Sequence, residues 1–181
     1  MNLPNKLTLL RVALIPIFLV VLLAGWPDAA LARWIAAGVF ALASITDFLD
    51  GFIARKYKLI TNFGKFADSL ADKLLVCAAL VVLTSLGDVA AWVTVLIISR
   101  EFIVTGFRLL AVEQKQVIAA DFLGKLKTAV TMVTILWVLV LNTAPWMQFV
   151  GQILVYTSAA LTVLSAVECI AKNHNVLKDV K

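Results

Sequence analysis

The sequence has little of what most functional sites in soluble proteins use: its 181 residues include one histidine and two cysteines, and only 15% are charged. That scarcity excludes a zinc module and a disulfide scaffold. The pattern also shows no basic face of the kind that binds nucleic acid. Apolar residues dominate instead, at 62% of the chain with a mean hydropathy of +1.00. Soluble domains are about 45–50% apolar, so we predict a membrane protein.

Apolar segments of spanning length recur along the chain, with short loops between them. A helix crosses a bilayer in about 20 residues, and loop signals such as Pro27, Asp28 and Gly87 separate the candidates. The predicted spans are 7–25, 32–55, 66–86, 89–110, 121–142 and 147–171. We therefore expect an all-α, polytopic protein with six transmembrane helices, forming one membrane domain over residues 1–181.

The basic residues indicate how these spans are oriented. Of the 16 lysines and arginines, all but Arg33 fall on the N-terminus, the second and fourth loops, the C-terminal tail or the adjoining span ends. By the positive-inside rule, both termini are predicted to be cytoplasmic. The five tryptophans lie near the opposite loops, as an interfacial aromatic belt requires.

Other features have plain interpretations. The first span resembles a signal peptide in its basic start, but its apolar run reaches spanning length and lacks a clear small-x-small cleavage site. Cys77 and Cys169 lie in apolar spans and are interpreted as packing residues. His174 falls in the polar tail and is interpreted as solvated.

Four aspartates interrupt the apolar pattern between residues 46 and 73. Asp47 and Asp50 lie near the end of the second predicted span, and Asp68 and Asp72 near the start of the third. The members of each pair are three or four residues apart, so each pair shares one helix face. Folding the chain about residue 59 or 60 also matches the pairs in depth. The four carboxylates are therefore predicted to converge on one site toward the cytoplasmic end of the bilayer.

Carboxylates buried in a membrane need a counter-charge. Oxygen ligands without histidine or cysteine suit Mg²⁺, Mn²⁺ or Ca²⁺, and a pair of such ions can clamp a phosphoryl group during in-line displacement. The alternative is a set of salt bridges between helices, with Arg55 and Lys73 as partners. Gly51 and Gly64 have two interpretations as well, helix packing or close approach of the backbone to a ligand.

Eight residues of this segment fit the pattern D-x2-D-G-x2-A-R-x8-G-x3-D-x3-D. They are Asp47, Asp50, Gly51, Ala54, Arg55, Gly64, Asp68 and Asp72. The pattern resembles the signature of the CDP-alcohol phosphotransferase family. The resemblance implies a six-helix membrane enzyme, a homodimer, that transfers a phosphatidyl group from a CDP-linked donor to an alcohol and releases CMP. Ser69 stands where many relatives carry proline, a departure at an unspecified position.

The resemblance also implies roles. The residues expected to hold the metal, as two Mg²⁺ or Mn²⁺ ions, are Asp47, Asp50, Asp68 and Asp72. Asp72 is expected to act as the base too. The residues expected to bind the CDP-linked donor are Asn5, Thr8, Arg11, Gly51, Ala54, Arg55 and Gly64. For Arg11 the alternative is ordinary anchoring of the first span at the membrane surface.

Charged residues in the fourth and fifth predicted spans are expected to select the alcohol. Arg100, Arg108 and Lys125 predict a basic pocket for a dianionic phosphate. Internal pairing of Glu101 with Arg108 is the alternative, since the two share a helix face. Lys127 points away from Lys125 and is interpreted as a lysine whose ammonium reaches the interface.

These segments resemble the glycerophosphate-specific branch of the family. The resemblance implies transfer of a phosphatidyl group from CDP-diacylglycerol to sn-glycerol 3-phosphate, giving phosphatidylglycerol phosphate and CMP, at the cytoplasmic face of a bacterial inner (plasma) membrane. Direct displacement is predicted because no serine, cysteine or histidine is poised as a nucleophile. The alternatives are another acceptor (inositol phosphate, serine or phosphatidylglycerol), a divalent-cation transporter and, third, a purely structural membrane protein.

Overall fold

Every element in the described part of the chain is an α-helix. The computed structural model describes the backbone of residues 3–25, 28–56, 62–113, 122–142 and 144–173, and the side chains of residues 8–25, 28–47, 70–112, 122–142 and 144–173. The helices are α1 (Leu3–Ala24), α2 (Ala29–Lys56), α3 (Asn62–Ser85), α4 (Ala91–Glu113), α5 (Phe122–Leu141) and α6 (Pro145–Lys172). Each coincides with one predicted span, and their ends differ by a few residues.

Among the residues whose side chains are described, three segments are long and apolar enough to cross a membrane: Ala29–Asp47 within α2, all of α5 (Phe122–Leu141) and all of α6 (Pro145–Lys172). The apolar stretch Thr8–Ala24 of α1 is shorter. An all-helical chain with such segments is consistent with a membrane protein.

The first three helices pack around an apolar core. α1 packs against both α2 and α3. Phe18 of α1 and Phe40 of α2 are fully buried, with ring centroids 6.1 Å apart. Ala36 and Ala79 are buried in the same core, where small side chains allow helix backbones to approach closely.

The last three helices meet along a seam that is rich in hydroxyl groups. α6 packs against both α4 and α5. Ser158, Thr162 and Ser165 are buried on one face of α6, and the hydroxyl of Ser158 lies 2.7 Å from that of Thr131 on α5. Thr162 also donates to the carbonyl oxygen of Ser158 at 2.7 Å. These bonds satisfy polar groups that would otherwise be costly away from water.

A polar cluster around Asp88 closes one end of the bundle. Arg33 Nη2 donates to Asp88 Oδ2 at 2.7 Å, and Asn142 Nδ2 donates to Oδ1 at 2.8 Å. Gln152 Nε2 donates to the Asp88 carbonyl at 3.2 Å. Gly87, at φ 81°, precedes Asp88 and provides the left-handed turn after α3 that glycine adopts without strain. The aspartate-rich ends of α2 and α3 are the opposite ends of those helices.

Candidate active site

Arg11 of α1 supports Asp47 of α2. The Arg11 side chain is fully buried and its Nη1 is ion-paired with Asp47 Oδ1, whereas the Asp47 side chain is 30% exposed. Thr8, almost one turn earlier in α1, is buried as well. Because Arg11 is buried against Asp47, its contacts favour a role at this carboxylate over ordinary anchoring at the membrane surface. Its charge instead supports a carboxylate that remains accessible.

A cavity of about 600 Å³ lies beside Asp72, between α3, α4 and α5. Its charged and polar lining residues are Asp72, Lys73, Arg100, Glu101, Thr105, Arg108, Lys125 and Thr128. The structure therefore brings the three cations predicted for the acceptor phosphate together with the predicted base. One concave site of this kind, with convergent polar groups, is typical of a small-molecule pocket.

Helical spacing explains why these residues share the cavity. Glu101, Thr105 and Arg108 are four and three residues apart on α4, and Lys125 and Thr128 are three apart on α5, so each set lies on one face. Thr105 Oγ1 donates to the Glu101 carbonyl at 2.6 Å. Thr128 Oγ1 likewise donates to a carbonyl of its own helix. The sequence spacing thus translates directly into the lining of the cavity.

Arg108 and Lys125 have no ion pair within the described part of the chain. The Nε of Arg108 is buried and has no hydrogen-bond partner there. A buried donor without a partner is costly, and an anion bound in the cavity would recover that cost. The alternative pairing of Glu101 with Arg108 is wrong.

Glu101 pairs with two other cations. Its Oε1 accepts from Lys127 Nζ and from Arg100 Nη1, the latter at 3.3 Å. Lys127 is only 3% exposed, so its interpretation as a lysine reaching the interface is wrong; the carboxylate on α4 compensates its buried charge. Arg100 Nη2 also donates to Ser165 Oγ at 2.9 Å. Glu101 and Arg100 thereby connect α4 to both α5 and α6.

Several predicted site residues lie outside the described side chains: Asn5, Asp50, Gly51, Ala54, Arg55, Gly64 and Asp68. The backbone places Asp50 and Asp68 on α2 and α3, about one turn from Asp47 and Asp72. Among the described side chains, no group of three acids, histidines or cysteines forms a metal cluster. His174 lies outside the described residues.

The chemistry of the donor set fits a divalent cation. The residues concerned are carboxylates, the hard ligands that Mg²⁺ and Mn²⁺ prefer. Asp47, which is ion-paired with Arg11, has a side chain that is 30% exposed. Its carboxylate is therefore accessible to a cation.

Comparison with known proteins gives one consistent family. The sequence profile of CDP-alcohol phosphatidyltransferases matches residues 1–164. A CDP-diacylglycerol–glycerol-3-phosphate 3-phosphatidyltransferase of Bacillus subtilis is 43% identical, over 98% of this chain and 97% of its own. A probable phosphatidylglycerophosphate synthase of Mycobacterium tuberculosis is 45% identical, over 94% and 81%. A Rickettsia bellii protein with the same name as the Bacillus relative is 42% identical, over 91% of both chains.

Proposed function

Since this chain belongs to the CDP-alcohol phosphatidyltransferase family, we propose that it transfers the phosphatidyl group of CDP-diacylglycerol to sn-glycerol 3-phosphate. The products are phosphatidylglycerol phosphate and CMP. The names of relatives that match nearly the full chain support both substrates. The observation that carries the proposal is the cavity in which Asp72 lies with Arg100, Arg108 and Lys125.

The acceptor phosphate binds to Arg108 and Lys125, with Arg100 nearby. Neither Arg108 nor Lys125 is neutralised by an acid in the described part of the chain. Their two positive charges match a dianionic phosphate, and arginine adds a planar fork that suits phosphate oxygens. Glu101 neutralises Lys127 and contacts Arg100, so part of the positive charge around the cavity is already compensated.

Members of the family generally depend on a divalent metal. Asp47, Asp50, Asp68 and Asp72 would hold it here, as two Mg²⁺ or Mn²⁺ ions. When bound, such ions neutralise diphosphate oxygens and stabilise the charge on the departing nucleotide. Arg11 holds Asp47 in position for this role. The remaining residues assigned to the CDP-linked donor are Asn5, Thr8, Arg11, Gly51, Ala54, Arg55 and Gly64.

Asp72 accepts the proton of the primary hydroxyl of glycerol phosphate. That oxygen attacks the phosphorus that carries diacylglycerol, a new P–O bond forms, and the bond to CMP breaks. The only hydroxyl side chains in the described lining, Thr105 and Thr128, both donate to carbonyls of their own helices. Because both hydroxyls are already hydrogen-bonded within their helices, direct transfer to the acceptor is favoured over a covalent intermediate on the protein.

The helices cross a bacterial inner membrane six times, with both termini and the cavity on the cytoplasmic side. Support comes from the distribution of basic residues and from the exposed tryptophans Trp34, Trp92 and Trp146, which all lie at the Asp88 end of the bundle. The acyl tails of the donor remain in lipid while water-borne glycerol phosphate enters from the cytoplasm. The functional unit is a homodimer.

An acceptor panel tests the assignment. Purified protein in detergent receives CDP-diacylglycerol, Mg²⁺ and one acceptor at a time: sn-glycerol 3-phosphate, inositol phosphate, serine or phosphatidylglycerol. We expect CMP release with glycerol phosphate and a lipid product with the mass of phosphatidylglycerol phosphate. Faster release with another acceptor would keep the reaction class but replace the alcohol, and no release with any of them would contradict the proposal.

A further inference from the structure

The two carboxylate oxygens of Glu101 have different surroundings. Oε1 accepts from Lys127 and Arg100. Oε2 has no hydrogen bond in the described structure, and it is not among the buried polar atoms that lack a partner. Glu101 lines the cavity and its side chain is 17% exposed. Oε2 is therefore an acceptor that is open to the cavity.

An acid is unexpected in a cavity that binds a dianionic phosphate, because like charges repel. Compensation of Lys127 explains Oε1 but leaves Oε2 without a role. A carboxylate oxygen accepts hydrogen bonds and cannot donate them. On an acceptor substrate that carries no cation, its ligand is therefore a hydroxyl group. The acceptor carries one hydroxyl that does not react.

We propose that Glu101 is a specificity-determining residue: its Oε2 accepts a hydrogen bond from the secondary hydroxyl of sn-glycerol 3-phosphate. This inference rests on the proposed function. The primary hydroxyl meets Asp72 and the phosphate meets Arg108 and Lys125, so the secondary hydroxyl lies between them. Arg108 lies about two turns after Glu101 on the same face of α4, and both line the cavity.

The neighbours of Glu101 fix the position of this acceptor. Lys127 contacts it from α5, and Arg100, which bonds to Ser165 on α6, contacts it from the same helix. A carboxylate held from two sides is pre-organised, and pre-organised polar groups discriminate strongly against a substrate that leaves them unpaired.

The test compares two acceptors that differ by one hydroxyl: sn-glycerol 3-phosphate and propane-1,3-diol monophosphate. Loss of a hydrogen bond to a charged group weakens binding by roughly 10- to 100-fold. We expect wild-type kcat/KM to favour glycerol phosphate by about that factor. In Glu101→Met the ratio should fall toward one. A role limited to holding Lys127 and Arg100 would lower kcat/KM for both acceptors alike, and an unchanged ratio would overturn the proposal.

Three further variants keep the test informative. Lys127→Met removes one of the two cations that hold Glu101 but retains Oε2 and the contact with Arg100, so the ratio should stay well above one even if both rates fall. The double variant E101M/K127M removes both charges of the Glu101–Lys127 pair, and Arg100 keeps its hydrogen bond to Ser165. If E101M fails to fold, the double variant replaces it in the test, and its ratio should also be near one. Glu168→Met is the matched control, since Glu168 pairs with Lys172 outside the cavity, and its ratio should equal the wild-type value.

These experiments distinguish a failure of the proposed function from a failure of the role assigned to Glu101. If the wild-type protein releases no CMP with glycerol phosphate, the proposed function fails. If it does so and prefers glycerol phosphate, but the folded E101M or E101M/K127M protein keeps that preference, only the assignment of Glu101 fails. Equal use of both acceptors by wild type would likewise overturn the assignment of Glu101.

Discussion

Arg11 and Asp47 lie 36 residues apart in the chain and form an ion pair between α1 and α2. The arginine is fully buried and the aspartate is partly exposed. A buried cation that loses its partner is strongly destabilising, so the pairing restricts how α1 can pack. It also means that the first helix contributes to the position of a carboxylate in the second.

Replacing Arg11 removes the buried charge and leaves only the partly exposed Asp47, so it should impair the reaction more than the fold. In Arg11→Met we expect a roughly 10- to 100-fold loss of kcat, the usual effect of removing a residue that orients a metal ligand, with partial recovery in Arg11→Lys. CMP release per folded protein gives the rate, and thermal unfolding in detergent gives the folded fraction.

The matched control for Arg11 is Arg33→Met, which breaks an arginine–aspartate pair at the other end of the bundle. It should lower the unfolding midpoint and leave kcat of the folded protein unchanged. Similar kcat losses in both variants would contradict a specific role for Arg11.

Arg108 and Lys125, which have no acidic partner in the described part of the chain, should determine acceptor affinity. Arg108→Met and Lys125→Met are each expected to raise KM for glycerol phosphate by roughly 10- to 100-fold, because each removes a charged hydrogen bond to phosphate, while KM for CDP-diacylglycerol stays constant. Arg108→Lys should recover only part of the loss because lysine lacks the guanidinium fork. Lys172→Met, at an exposed pair outside the cavity, is the control. A rise in KM for CDP-diacylglycerol would instead indicate that these cations bind the donor.

Replacing Asp88 should lower the stability of the protein and leave kcat unchanged. Asp88→Ala removes the acceptor of Arg33 and Asn142, and we expect the free energy of unfolding to fall by about 1–3 kcal/mol. Urea or thermal unfolding in detergent measures the loss, with Asp88→Asn as the milder variant. Reduced kcat at an unchanged unfolding midpoint would show that this cluster has a catalytic influence instead.

Metal removal should stop the reaction reversibly. In the proposed site, the carboxylates of Asp47, Asp50, Asp68 and Asp72 bind a diphosphate only through a cation, so chelation with EDTA should abolish CMP release and added Mg²⁺ should restore it. Asp47→Asn should require more Mg²⁺ for half-maximal rate. Undiminished turnover in EDTA would exclude the metal role of these residues.

The helices and the cavity could be predicted from the sequence because both depend on local spacing. Long apolar runs defined the helices to within a few residues. The four- and three-residue intervals from Glu101 to Arg108, and the interval from Lys125 to Thr128, predicted which residues share a face, and the cavity contains them together.

The ion pairs could not be predicted with the same certainty, because they depend on how each helix is rotated about its axis. The sequence alone favours an interfacial position for Lys127, yet it is buried against Glu101. A signal was present: Lys127, Thr131 and Thr134 follow at four and three residues, and all three are buried on α5. A lysine on the same stripe as small hydroxyl residues in an apolar helix indicates an interior partner.

The central claim is that the cavity beside Asp72 is where glycerol phosphate is deprotonated and receives the phosphatidyl group. Its most direct test is the rate of CMP release by Asp72→Asn with CDP-diacylglycerol, glycerol phosphate and Mg²⁺, measured on protein whose unfolding midpoint matches wild type. Asparagine keeps the shape but neither accepts the proton nor contributes the charge, so we predict a loss of at least about 100-fold. Wild-type turnover in that variant would contradict the account.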